Sequence, residues 1–138
     1  MSIRSDLVTF LKADSSIAAL VSTRVFAIVR PYDSASADCI VIRCTGSESG
    51  HDLNGAGGWD DRTFVIECRS KTLSTAESIA DAVRVRCKGY SGSVGTGSTC
   101  MAMLMQNEAD AYDEPEDQSF EGQYVIQQTY FFMRVEEL

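Results

Sequence analysis

Apolar residues recur at helical spacing in two stretches of this chain and alternate or cluster in short runs elsewhere. Ile3, Leu7, Phe10 and Leu11 share one face of a helix that runs to about Ala13, and Ser2 is placed to cap it. "DSS" (14–16) interrupts the pattern, and Ser15 or Ser16 is placed to cap a short second turn, "IAALVS". "RVFAIV" (24–29) then reads as a strand, ended by Pro31 and the loop "YDSASAD". "CIVIRCT" (39–45) is rich in β-branched residues and reads as a second strand. In "RTFVIECRS" (62–70), Phe64, Ile66 and Cys68 alternate with Thr63, Val65, Glu67 and Arg69, which is the period of a third strand.

The second helical stretch follows. "STAE" (Ser74 to Glu77) has the spacing of a capping box, in which each side chain bonds the other's free backbone N–H. Leu73, Ala76, Ile79, Ala80, Val83 and Cys87 mark one apolar face, with Arg84 on the opposite side as a surface charge. Arg84, Arg86 and Lys88 come late, where cations complement the helix dipole, and Gly89 is placed to end the helix. "GYSGSVGTGS" (89–98) reads as a flexible loop, "TCMAMLMQ" (99–106) as a strand, and "QYVIQQTYFFMRVE" (123–136) as a long final strand. In that last strand Tyr124, Ile126, Gln128, Tyr130 and Phe132 face one way, and Val125, Gln127, Thr129, Phe131, Met133 and Val135 the other. Neither face is plainly solvated. Either a helix covers one and a partner or second sheet the other, or the strand is fully internal. The order predicts an α+β domain spanning 1–138. Its mainly antiparallel sheet has about five strands, an N-terminal helix and one long helix packed across it.

Composition changes this picture in two places. The chain has 138 residues, enough for one core, and no apolar run long enough to span a membrane. Its start, "MSIRSDLVTFLKAD", lacks the apolar region and cleavage site of a secretory signal. Its formal net charge of −8 is unevenly spread. Residues 106–121 hold seven acids (Glu108, Asp110, Asp113, Glu114, Glu116, Asp117 and Glu121) and no base, which reads as an acidic loop, while the rest of the chain is nearly neutral. Such a segment repels phosphate backbones, which argues against specific nucleic-acid binding. The five cysteines, Cys39, Cys44, Cys68, Cys87 and Cys100, form no C-x-x-C pair and read as small buried hydrophobes.

Candidate chemistry centres on "HDLNGAGGWDDR" (51–62), which holds the single histidine of the chain. A calcium loop would need ligands at alternate positions, but Ala56 and Thr63 fall where a ligand and the closing glutamate belong. The stretch lacks the G-K-[ST] ending of a phosphate loop and the nearby cysteines of a zinc site. A hairpin connection accounts for Asn54-Gly55 and Gly57-Gly58, which tolerate positive φ, and leaves Trp59 as an exposed or interface aromatic. The alternative from another class is a small metal-dependent enzyme using His51, Asp52, Asp60 and Asp61. The carboxylates of 113–117 lack a histidine, lysine or nucleophile nearby in sequence. The glycines at 92, 95 and 97 follow a helix instead of opening one, so no helix dipole stands behind them.

Taken in order, several stretches resemble the tail terminator, or tail completion and tail-to-head joining, proteins of long-tailed bacteriophages. They are the N-terminal helix running into "LKADSSIAALVSTRVF", the His-x-Leu-x-Gly turn and following strand and helix of "HDLNGAGGWDDRTFVIECRSKTLSTAESIADAVR", and the acidic Asp-x-Tyr segment before a long strand in "DAYDEPEDQSFEGQYVIQQTYFFMRV". The chain departs from the family in the acidity of 113–117, its five cysteines and its Gly/Ser loop. The resemblance implies an α+β subunit that forms a ring, a hexamer, on the end of the finished tail tube in the virion. Such a ring stops tube growth and offers a surface to the head connector, with DNA passing through and neither catalysis nor a cofactor involved. It places His51, Leu53, Gly55 and Trp59 at a subunit contact, and Asp113, Glu114, Glu116 and Asp117 at the lumen or a partner. A head-completion adaptor or another ring-forming neck protein is the alternative within that class.

Overall fold

Three strands in the middle of this chain bury every second residue against helices, and that alternation organises the molecule. The computed structural model describes residues 3–28, 38–52, 55–113 and 122–137. Among them the order is α1 (Ile3–Lys12), α2 (Ser15–Val21), β1 (Val25–Ala27), β2 (Cys39–Asp52), β3 (Gly55–Ser70), α3 (Leu73–Cys87), β4 (Gly92–Val94), β5 (Ser98–Cys100), β6 (Ala102–Asp113) and β7 (Gln123–Glu137). The sheet runs β1-β2-β3-β7, and the far edge of β7 is shared by β6 and by the small β5-β4 hairpin. Only β1 is parallel to its neighbour. The architecture is the expected α+β one, with two three-residue strands added.

The core lies on one face of the sheet. Ile40 and Ile42 of β2, Phe64, Ile66 and Cys68 of β3, Ile126, Tyr130 and Phe132 of β7 and Met103 of β6 pack there with the apolar faces of all three helices. In α3 that face is Ala76, Ile79, Ala80, Val83 and Cys87; Leu73 is 44% exposed and does not join it, contrary to the heptad-like pattern. The reason is the start of the helix. Thr72, not Ser74, is the N-cap residue, so Leu73 opens the first turn at the solvent edge and the Ser74–Glu77 capping box does not form. Ser70 Oγ instead accepts a bond from Thr72 N–H, 3.2 Å away. Likewise Asp14, not Ser15 or Ser16, caps α2, its Oδ1 accepting from the N–H groups of Ser16 and Ile17.

Two stretches read as loops are strands. "GYSGSVGTGS" contains β4 and the start of β5, seated on α1: Val94 is fully buried, Ser98 donates to Asp6 Oδ2 at 2.5 Å, and Gly95 lies against the Asp6 backbone. Residues 106–113 of the acidic stretch belong to β6, which pairs along β7 from Ala102↔Met133 to Asp113↔Gln123; 114–121 lie outside the described residues. Near the end of β7, the register slips between Asp60↔Val135 and Arg62↔Phe132, leaving one residue of β3 opposite two of β7. Arg134 takes φ 50° in this bulge, and its N–H donates to Asp61 Oδ1 at 2.9 Å. The bulge resets the alternation, so Val135, assigned by simple period 2 to the outer face, joins the core.

Candidate functional site

Residues 39–70 form one long antiparallel hairpin. Its register runs from Cys39↔Arg69 to Asp52↔Gly55, with irregularities after Cys44 and Ser49. Asp52 pairs with Gly55, and Gly55 to Trp59 belong to β3, so Gly57-Gly58 is strand and not turn. Pairing of β3 with β7 begins at Asp60. Beyond that point the two strands pair only with each other, and the hairpin leaves the sheet as a two-stranded arm. His51, Gly55 and Trp59 lie on this arm, with His51 opposite Ala56; their side chains, and all of Leu53, are outside the described residues. Asp113 ends β6, while Glu114, Glu116 and Asp117 also lie outside the described residues.

Of the four residues in the metal-enzyme alternative, two have described side chains, and both are engaged. Asp60 pairs with Arg62 at 3.1 Å, and Asp61 holds the bulge in β7. Among the described residues no three His, Cys, Asp or Glu side chains gather as metal ligands would. Three of the thiols are poor nucleophiles as well. Burial holds the Cys68 thiol far above its usual range, pushes Cys87 up to about 12 and Cys100 up to about 11, so all three stay protonated at neutral pH.

The informative surface is the other side of the sheet. The core cluster draws on only one sheet face, and no helix among the described residues covers the second. That second face is far from a simple polar surface. At its centre Glu67, only 7% exposed, takes Arg43 at 3.5 Å, Arg69 at 3.6 Å and the Gln127 side-chain amide at 3.0 Å. Val41 and Val125, flanking this network, are each 3% exposed yet lie outside the core cluster. Towards the arm the face turns apolar, with Val65, Thr129 and Phe131 half-buried and Leu104 44% exposed. At the opposite end Arg69, Gln127, Val125, Ala111 and Tyr112 line a shallow pocket of about 240 Å³. The rings of Tyr112 and Tyr124, paired across β6 and β7 and alternating to the helix side of the sheet with Ile126, are exposed and stand edge to face 5.0 Å apart.

On the helix side, Glu77, Asp81, Glu108 and Asp110 line a groove of about 280 Å³ between α3 and β6. Arg84 is not the simple surface charge of the sequence reading. It bonds both Asp81 and Glu108, and the Asp81 bond, reinforced by Glu108, raises its pKa further. Glu108 in turn accepts from buried Gln128 at 3.0 Å; Gln128 also donates to Ala80 O at 2.9 Å and accepts from Tyr130 OH at 2.9 Å. This chain of bonds satisfies a fully buried amide and ties α3, β6 and β7 together. Periodicity placed Gln128 on one face with Ile126 and Tyr130, without showing which face is the core; its partners come from elements distant in sequence.

No protein-family model matches the chain, and no curated protein does. Among solved structures, the chain is similar to a chain of the virion of a native gene transfer agent (GTA) particle. The TM-score is 0.70 with 22% sequence identity, over 96% of this chain and 93% of that one. The two share a fold from end to end.

Proposed function

We propose that this protein is a structural component of a phage-like virion, and that it closes as a hexameric ring on the end of the tail tube. There it ends tube growth and receives the head connector. The observation that carries this reading is the likeness to a chain of a gene transfer agent virion over 96% of this chain and 93% of that one. Among the described residues, the end of the β2–β3 hairpin beyond Asp60 pairs with no third strand, which a contact within an assembly would complete and which supports the reading. The engaged carboxylates and protonated thiols give no support to the metal-enzyme alternative. DNA passes such a ring without sticking if its channel is acidic, because contact then releases no counterions.

Deleting the gene from cells that produce the particle tests this. Overlong tail tubes, or tubes of normal width that never join heads, are expected, with infectivity or transfer restored by supplying the chain in trans. Joined particles with tails of normal length would overturn the proposal. Normal-length tubes beside heads that lose their DNA would move the ring to the head side of the neck.

A further inference from the structure

Strand β6 lies at the rim of the sheet, and its outer edge is paired along only part of its length. Near its start Met103 turns its backbone away from β7: its N–H donates to Tyr90 O and its C=O accepts from Gly89 N–H, each at 2.8 Å. Met103 sits opposite Phe132, and β7 pairs with β3 without irregularity from there to Tyr124. The partners of every second residue along β7 therefore share the outward backbone of Met103. Past the irregularity between Met105 and Asn107, those partners are Glu108, Asp110 and Tyr112, opposite Gln128, Ile126 and Tyr124. Among the described residues no strand pairs with β6 on that side, and every residue from 106 to 112 is exposed. We propose that this edge receives an extended segment of another protein, bearing lysine or arginine, which adds to the sheet as a strand beside β6. The source of that segment, a further component of the particle, rests on the virion reading; the edge itself does not.

Backbone, charge and ring chemistry together define the occupant. An open edge offers N–H and C=O groups at alternate residues, which an extended backbone satisfies. The side chains beside it are acidic: Glu108 and Asp110 on β6 and Glu77 and Asp81 on α3, with Arg84 the single cation lining the same groove. Arg84 is engaged by Asp81 and Glu108, whereas Glu77 and Asp110 have no ion-pair partner among the described residues. Lysine or arginine at alternate positions of an added strand faces Glu108 and Asp110 at cross-strand distances of about 4.5–5.5 Å. At the end of the row, the exposed Tyr112 and Tyr124 rings offer a cation a π face. A second copy of this chain does not fit. Two β6 edges side by side would set Glu108 and Asp110 against their own kind, and like charges directly opposite destabilise a pair. The short strands β1 and β4, and residues 46–52 and 55–59 at the end of the hairpin, hold no lysine or arginine. Charges alone would guard an edge from aggregation, but exposed tyrosines beside them do not serve that end.

The test uses the intact chain and two labelled peptides, blocked at both ends and about ten residues long, the strand length common in globular proteins at its upper limit. One alternates lysine and threonine. The other has the same sequence with every backbone amide N-methylated, so it keeps the charge and cannot donate to a strand. Fluorescence anisotropy reads their binding to the wild type and to Asp110→Pro. Proline there removes an N–H that points away from β7, a place where edge strands tolerate it, so the fold is kept; far-UV circular dichroism and melting check this. The wild type is expected to bind the plain peptide at least ten-fold more tightly than the methylated one, and Asp110→Pro to lose that difference. The double variant Glu77→Gln, Asp110→Asn is expected to bind more weakly and with a shallower dependence on salt. Equal binding of the two peptides by the wild type would show attraction of charge without pairing and overturn the proposal, as would no binding of either. Electron microscopy of the same proteins separates this contact from the ring reading. A chain that distinguishes the peptides yet forms no ring keeps the contact and removes the ring; a chain that forms rings and treats both peptides alike does the reverse.

Discussion

Gly95 shows how much of this fold hangs on a single missing side chain. It takes φ +61°, and a Cβ there would sit 2.7 Å from the Asp6 carbonyl oxygen and 2.8 Å from Asp6 Cα. Both atoms are backbone, so neither moves aside cheaply. The left-handed conformation costs a non-glycine residue about 1–2 kcal/mol, and overpacking adds about 1–3 kcal/mol. Gly95→Ala is therefore expected to lower urea-unfolding stability by roughly 2–5 kcal/mol. Gly89→Ala is the control. Gly89 has φ +78° with open space around it, so only the conformational cost applies, about 1–2 kcal/mol. Equal losses at the two positions would mean that the β4–β5 hairpin is not seated on α1.

At the scale of elements, α3 carries the contrast between buried and exposed faces. Ile79 is fully exposed to the core and closed to water, while Val85 is 86% exposed on the far side. Ile79→Ala should cost about 2–5 kcal/mol. Val85→Ala should stay within about 0.5 kcal/mol. Thermal and denaturant melts check both, and similar losses would mean the helix packs by another face. The periodicity of Ile79, Ala80, Val83 and Cys87 made this helix legible from sequence, as the alternation of Phe64, Ile66 and Cys68 did for β3. What was not legible has physical causes. β4 and β5 are written in glycine and serine, and contacts distant in sequence give them a place: Ser98 with Asp6, 92 positions away, buried Val94, and the pairing of β5 with β7. The outer half of β6 alternates Glu108, Asp110 and Tyr112 with Asn107, Ala109 and Ala111, a strand period without a hydrophobic face, since it lies at the rim beside α3. The caps at Asp14 and Thr72 each lie just before the serines that the sequence offered.

For the whole molecule, the sequence showed the α+β class and the ambiguity of the last strand. It did not show that the side of the sheet away from the helices carries a buried ion network, because Arg43, Glu67, Arg69 and Gln127 come from three strands joined only by register. The described residues singled out at 51–59 lie at the end of the β2–β3 hairpin, where Asp52 pairs with Gly55; of the two glycine pairs read as turn residues, Gly57-Gly58 falls in strand. The acidic run past β6 belongs to function at this scale. Replacing Asp113, Glu114, Glu116 and Asp117 with their amides is expected to leave the melting temperature nearly unchanged if these charges are solvated, since such charges contribute little to stability. Head joining or DNA passage is expected to suffer, or assembly to change its salt dependence; a variant that matches the parent in all three at every salt concentration would make the run a passive surface. The central claim, a ring on the tail tube, is tested most directly by electron microscopy of the purified chain, alone and mixed with preformed tail tubes. The account predicts rings with an open channel that sit on one end of each tube and stop its growth. Particles the size of a single chain, and tubes that keep growing with bare ends, would contradict it.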